Sequence, residues 1–335
     1  DDHIKVRLDR LAEEHHSVSA EITVITDLPG VAPHLHQARL NLTSTQARRT
    51  LQNALSERLD NIDWAAILEQ ACIMTLDKYR EGEPVVKVGS LPPREDNIYR
   101  LQPILLEGQV NLMYGPGGAG KSYLALYFSL MVQTPFTALG LFPSPGNVLY
   151  LDYETSQEEA NDRVLAIKKG LEQCQPSDIF YRYCHQSLVN DIAEIQRIVV
   201  ENKISLIIID SVGSALAGEP ESADIVLRYF TALRSLRVTT LSIDHTTKDE
   251  RKSLFGSVYK QNAARSIFEL KKSQDPGEDK ISLGLYHRKI NTGKLIAPLG
   301  FQLNFGTDSV KLKRVDIKQI PELAKGLSRK EQITG

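Results

Sequence analysis

Between positions 110 and 122 the chain reads Val-Asn-Leu-Met-Tyr-Gly-Pro-Gly-Gly-Ala-Gly-Lys-Ser. The stretch from Gly115 through Pro116, Gly117, Gly118, Ala119 and Gly120 to Lys121 and Ser122 matches GxxxxGK(S/T) at every fixed position. Glycines here let backbone N–H groups turn inward with no Cβ in the way, and a helix starting at the end of the turn adds its positive end. Such a cradle holds a triphosphate. The Lys121 ammonium is then expected on the β- and γ-phosphates and the Ser122 hydroxyl on Mg²⁺, so ATP and Mg²⁺ are the expected ligands. An ordinary glycine turn before a helix would not explain why Lys-Ser closes the run.

A triphosphate in a loop needs a metal partner and an activated water before it is cleaved. Leu206-Ile-Ile-Ile-Asp210-Ser211 is four apolar residues ending in a carboxylate, the Walker B form. A buried strand of this kind would hold Asp210 beside the loop to order Mg²⁺; the alternative is an Asp capping the next helix. Val148-Leu-Tyr-Leu-Asp152-Tyr-Glu154 ends a second strand in acids. Of these, Glu154 is expected to polarise the water. A side chain just past the strand can lean over the γ-phosphate, whereas the pleat fixes Asp152. Glu154 could instead complement the positive start of a following helix.

These groups meet only if their strands end together. The apolar pattern predicts strands at 110–114, 147–151, 179–183, 206–209 and 238–243, with helices at 122–132, 157–173, 188–202 and 224–236 between them. Strands at 266–271, 281–286, 301–304 and 309–315 follow. This alternation predicts an α/β fold with a doubly wound, mainly parallel sheet. Ahead of it, 20–26 and 36–42 read as paired strands around an Asp27-Leu-Pro-Gly30 turn, then helices at about 44–59, capped by Thr43 or Ser44, and at 64–79. The expected division is a small α+β domain at 1–80, a linker at 81–97, the α/β domain at 98–317 and a polar tail at 318–335, compatible with the start of a further domain.

Composition narrows the setting. Hydrophobic residues make up 41% of 335, enough for a sizeable core, and the net charge of −2 is no global signature of a nucleic-acid binder. Three cysteines make no disulfide framework, so a reducing, cytoplasmic location is expected. Cys184-His185 and His34-Leu35-His36 each lack the second ligand pair of a zinc site. No signal-peptide pattern opens the chain, which begins without Met as a trimmed piece would. The apolar run 124–132 falls short of the roughly 20 residues that span a bilayer, so no membrane partner is expected.

In order along the chain, GPGGAGKS, YLDYET, LIIIDS and LSIDHT resemble the RecA-like ATPases, and among them most the hexameric RepA-type replicative helicases and their AAA_25-type relatives. The likeness covers 99–312, about two thirds of the chain. It implies a RecA-like P-loop ATPase core that assembles as a hexameric ring and unwinds DNA in replication while moving on a single strand. It implies Glu154 as the catalytic acid residue, Arg163 near the nucleotide base, and His245 as a γ-phosphate sensor coupled to a DNA-binding loop. By itself His245 would read as structural. Arg265 resembles the finger segment by which a neighbouring subunit completes the site. Arg288 and Lys289 resemble a basic hairpin of related helicases, although Asn291 stands where its second arginine is expected. Any of the three could be the finger, or all could form a solvated basic face.

Residues 245–294 hold eleven Lys or Arg against six Asp or Glu, in a chain otherwise slightly acidic. Lys248, Arg251, Lys252 and Lys260 fall after the sensor strand. By analogy with RecA-like rings this loop, and 212–222, would line a channel and bind single-stranded DNA through phosphate contacts. A soluble Lys-rich loop is the ordinary alternative. Three rival functions stay open: a recombinase or helicase-loader-like ATPase without unwinding, a nucleotide-switched assembly protein with a protein partner, and, weakly, a small-molecule kinase. The first eighty residues show no catalytic constellation; a protein partner, DNA ends or oligomer geometry would be their business.

Overall fold

The computed structural model describes residues 3–82, 84–90, 98–171, 174–219, 222–246 and 258–327. The chain separates into two compact units, 1–94 and 95–335.

The first unit is an antiparallel sheet of β1 (Ile4–Glu14), β2 (Ser17–Thr26) and β3 (His34–Asn41), followed by α1 (Thr45–Ser56) and α2 (Trp64–Glu81). β1 adds a strand to the expected pair. Its Ile4, Val6 and Leu8 alternate with Lys5, Arg7 and Asp9, and a bulge between Asp9 and Ala12 interrupts the pattern. Ser44 caps α1 by accepting from the Ala47 amide, and Asp63 caps α2 by accepting from Ala66. One face of β2, with Val18, Ala20, Ile22 and Val24, packs on Leu51, Leu55, Trp64 and Leu68. Full burial of each aliphatic of this kind stabilises by about 1.5–3 kcal/mol before entropy is counted.

The second unit contains strands β4 (Tyr99–Gln102), β5 (Leu105–Leu106), β6 (Val110–Gly115), β7 (Phe142–Pro143), β8 (Asn147–Asp152), β9 (Phe180–Tyr183), β10 (Ile204–Asp210), β11 (Thr239–His245), β12 (Ser266–Ser273), β13 (Lys280–Ile290), β14 (Leu299–Phe305) and β15 (Val310–Val315). Its helices are α3 (Lys121–Gln133), α4 (Gln157–Gly170), α5 (Leu188–Glu201), α6 (Val212–Ala215), α7 (Ala223–Ser235), α8 (Val258–Ala263) and α9 (Pro321–Ala324). β5, β4 and β7 form a small sheet; the other strands form a nine-stranded sheet in the order β15-β14-β13-β12-β6-β11-β10-β8-β9. From β12 to β9 all neighbours are parallel, while β13, β14 and β15 extend the sheet as an antiparallel meander.

Alternate side chains of the same strands feed two cores. Met113, Tyr150, Ile208 and Phe268 pack with Leu124, Phe128 and Met131 of α3 on one face. Leu112, Leu149, Leu151 and Ile207 pack with Ile195 of α5 and Phe230 of α7 on the other. Burial on both faces is why β10 reads as an unbroken apolar run. The chain thus has the expected α/β class, a RecA-like core with a mainly parallel sheet preceded by a small α+β unit. Ile317, Leu323 and Leu327 fold back onto Tyr286, so the beginning of the polar tail packs on the main sheet. Among the described residues no helix is long and apolar enough to cross a membrane.

Candidate active site

The fully buried β6 leads straight into the loop at 115–122. Gly115 is required by a close approach: a Cβ there would lie 2.4 Å from the Leu270 carbonyl oxygen of β12. Gly120 caps α3 at φ +76°, a left-handed conformation, and a Cβ would meet Leu303 at 2.7 Å. No side chain caps α3, so its first amides face the turn.

Lys121 opens α3 and is only 4% exposed. Its ammonium donates to the Gly115 and Pro116 carbonyls at 2.9 and 2.7 Å and reaches His245 Nδ1 at 3.3 Å. An ammonium can only donate, so Nδ1 accepts and the ring proton sits on Nε2. Nε2 in turn lies 3.3 Å from Glu154 Oε1, placing a donor on that carboxylate. Burial lowers the Lys121 pKa, against the pull of Asp210, Glu154 and Asp244.

The two acidic strand ends lie side by side, with Asp152 opposite Asp210 in the β8–β10 pairing. Asp152 is occupied by its own turn. It accepts from the Glu154 and Thr155 amides at 2.9 Å each, from the Thr155 hydroxyl, and from the Tyr181 hydroxyl at 3.2 Å. Glu154 stands just past the strand, takes a hydrogen bond from Ser211 and pairs with His245. Those bonds and the nearby Lys121 charge hold its pKa at about 2 despite partial burial. Glu154 also stands clear of the next helix, because Ser156 caps α4 and Glu158 and Glu159 supply its first-turn charge. Asp210 does not cap α6 either; Ser211 occupies that place and makes no side-chain cap bond. The Asp210 carboxylate accepts from Tyr150 at 2.6 Å and from Ser122. Burial pushes its pKa up, and the two hydroxyls oppose that.

Mg²⁺ fits this donor set. A hard cation takes oxygen ligands, and a hydroxyl beside a carboxylate offers them, with substrate phosphates and water completing the shell. Among the described residues no group of three or more His, Cys, Asp or Glu makes a metal site by itself, so the metal would rely on its nucleotide.

Arg163 lies on the same cleft as the loop, Glu154, Asp210 and His245. It pairs with Glu159 and sits 5.6 Å over the Tyr123 ring, which meets Phe305 edge-on at 5.3 Å. Tyr123 and Phe305 carry no motif and so give no signal in the sequence.

The basic residues behave differently from one another. Lys260 does not face a channel. Its ammonium is buried against Asp244 at 2.8 Å, with 5% and 6% side-chain exposure, so its charge is neutralised inside the protein. Lys248, Arg251 and Lys252 lie outside the described residues. Arg288 holds Glu269 through Nε and Nη2 at 2.8 and 2.6 Å. Lys289 caps the end of α8, donating to the Gln261, Asn262 and Ala264 carbonyls. Arg265 is exposed and makes no ion pair with a described residue. Arg265 and Lys289 lie toward the end of the sheet remote from the chain's own phosphate loop, the Arg265 amide bonding Val110, roughly 16 Å along β6 from Gly115 at strand rise, whereas Arg288 reaches Glu269, which lies beside Tyr114 at the near end. At the near end of β12 stands a lysine that the sequence does not mark, Lys272, whose Nζ donates to Gly118 O at 3.1 Å.

A phosphate loop at a strand–helix turn, acids ending two adjacent parallel strands and a histidine ending a third define a P-loop ATPase with a RecA-like core. The chain belongs to the AAA_25 family, described as an AAA domain, whose model matches residues 83–251. It is also similar to a KaiC-like protein of the hyperthermophilic archaeon Pyrococcus horikoshii OT3, at 18% identity and a TM-score of 0.46, over 69% of this chain and 100% of that one. No curated protein matches the chain.

Proposed function

We propose that the chain hydrolyses ATP with Mg²⁺ and works as a homo-oligomeric ring, a hexamer, that moves on single-stranded DNA as a replicative-type helicase. The observation that carries the ATPase half is the convergence of Lys121, Ser122, Glu154, Asp210 and His245 on one cleft. Residues 115–122 bind the phosphates. Ser122 and Asp210 hold the Mg²⁺, which when bound neutralises charge on the phosphate oxygens. Glu154, kept ionised by His245, Ser211 and Lys121, orients and polarises the attacking water. His245 bridges Lys121 and Glu154, so a change at the γ-phosphate reaches the end of β11 and the segment beyond it. Arg163 with Tyr123 and Phe305 borders the nucleoside end.

The DNA half rests on the family resemblance and on the positive excess at 245–294. Lys248, Arg251 and Lys252 are its cationic candidates, without Lys260. Of the finger candidates Arg265 is favoured, because Arg288 and Lys289 are engaged within their own chain. The N-terminal unit is left for a protein partner.

The test is ATP hydrolysis with and without a single-stranded oligonucleotide, and strand displacement on a forked duplex. The expected result is DNA-stimulated hydrolysis and displacement, both lost in Glu154→Gln. Stimulation without displacement would favour a recombinase or loader, and hydrolysis indifferent to DNA would overturn the motor reading in favour of a protein-directed switch.

A further inference from the structure

We propose that Lys272 is a second ammonium for the polyphosphate of the bound nucleoside triphosphate, supplied from the same chain by β12. The inference rests on the reading of 115–122 as a nucleotide loop and adds a residue to it.

The strand geometry carries the argument. β12 runs parallel to β6, with Ser266 beside Asn111 and Glu269 beside Tyr114, and the Leu270 carbonyl crowds Gly115. The two strands therefore stay in contact up to the point where the loop departs. Side chains two apart share a face of a strand. Phe268 and Leu270 both belong to the core under α3, so Lys272 projects on the side of the sheet that α3 and the loop occupy. There it leaves the core, and its stem carries the ammonium to the Gly118 carbonyl. Gly118 is left-handed at φ +62°, and even a Cβ on it would lie 3.8 Å from Nζ.

Charge gives the second reason. Lys272 is exposed and makes no ion pair with a described residue. It shares the loop with Lys121, one ammonium held by the Gly118 carbonyl and the other by those of Gly115 and Pro116. Two ammonium groups at one loop repel each other, and a polyanion between them relieves the repulsion. A lysine is a compact charge on a flexible stem, so a short swing takes Nζ from a carbonyl on the loop's flank to a phosphate oxygen. The terminal phosphate carries the most charge and answers most strongly to an added cation.

The experiment is binding of fluorescent ATP and ADP analogues to the full chain, comparing wild type with Lys272→Gln, Lys272→Arg and Lys121→Ala. Loss of one charge-assisted contact predicts about tenfold or more weaker triphosphate binding in Lys272→Gln. Diphosphate binding should change much less, Lys272→Arg should recover most of the loss, and the melting temperature without nucleotide should stay the same. Unchanged triphosphate affinity in Lys272→Gln, or equal weakening of both nucleotides with a lowered melting temperature, would overturn the proposal and leave Lys272 a staple for the loop. Lys121→Ala separates the two readings. If it binds like wild type, the nucleotide loop itself is misread and Lys272 falls with it; if it fails to bind while Lys272→Gln is normal, only the second ammonium is wrong.

Discussion

Glu154 and Asp152 are two residues apart, yet their surroundings give them different work. Asp152 accepts four hydrogen bonds from its own turn and from Tyr181, which leaves it a structural acid. Glu154 has its carboxylate turned toward Ser211, His245 and Lys121. Glu154→Gln should keep nucleotide affinity and lower hydrolysis by about 10²–10⁴, the usual weight of a general base. A pH dependence follows from the same contacts. A carboxylate whose folded pKa is depressed to about 2 stabilises the fold above its unfolded value and loses that contribution as pH falls through about 2. The stability difference between wild type and Glu154→Gln should therefore be flat above about pH 5, the unfolded carboxyl titrating near 4.3, and shrink toward pH 2. Denaturant unfolding at stepped pH measures it. A difference that stays constant across that window would mean the three contacts do not hold the charge.

At the scale of elements, legibility depended on how far apart in sequence the cooperating groups lie. The phosphate loop is contiguous, and its strand and helix flank it directly, so residues 110–132 could be read almost complete. β10 was equally plain, because burial on both faces leaves no polar residue in Leu206 to Ile209. β1 was harder: charges interleave its apolar positions and a bulge breaks their period. Lys260 misled because a count of charges cannot see Asp244, sixteen positions earlier, closing on it across β11 and α8. Lys272 gave no signal, since only the parallel register of β12 on β6 brings it to Gly118. The Asp244–Lys260 pair also predicts a stability effect. Asp244 Oδ1 accepts from the His245 amide at 2.8 Å while Oδ2 holds Lys260. Lys260→Met would strand a buried carboxylate, at a cost of about 3–5 kcal/mol. Urea unfolding of that variant should show the loss. A change below about 1 kcal/mol, typical of exposed pairs, would contradict the buried ion pair.

For the whole molecule, the question is whether chains combine. Among Arg265, Arg288 and Lys289, only Arg265 has neither an ion pair with a described residue nor a helix end to hold, and it stands well away from its own loop. That placement suits a residue that serves an adjoining chain. Native mass measurement with ATP and a single-stranded oligonucleotide should give six times the chain mass. Mixing Lys121→Ala chains with Arg265→Ala chains should then restore hydrolysis in part, because an intact loop and an intact arginine can meet only across a junction. A monomer under all conditions, or no recovery on mixing, would remove the ring from the account.

β12 joins these scales. It is paired with the antiparallel meander from Ser266 to Ser273, and from Ser266 to Glu269 also with the strand that launches the phosphate loop. Arg265 precedes its first residue and Lys272 is its last but one. A strand held on both flanks at its foot and on one at its head resists bending, so a push at the foot is passed toward the head. Force applied at Arg265 by an adjoining chain would travel about 23 Å at strand rise to Lys272 at the lip of the cleft, within a single strand.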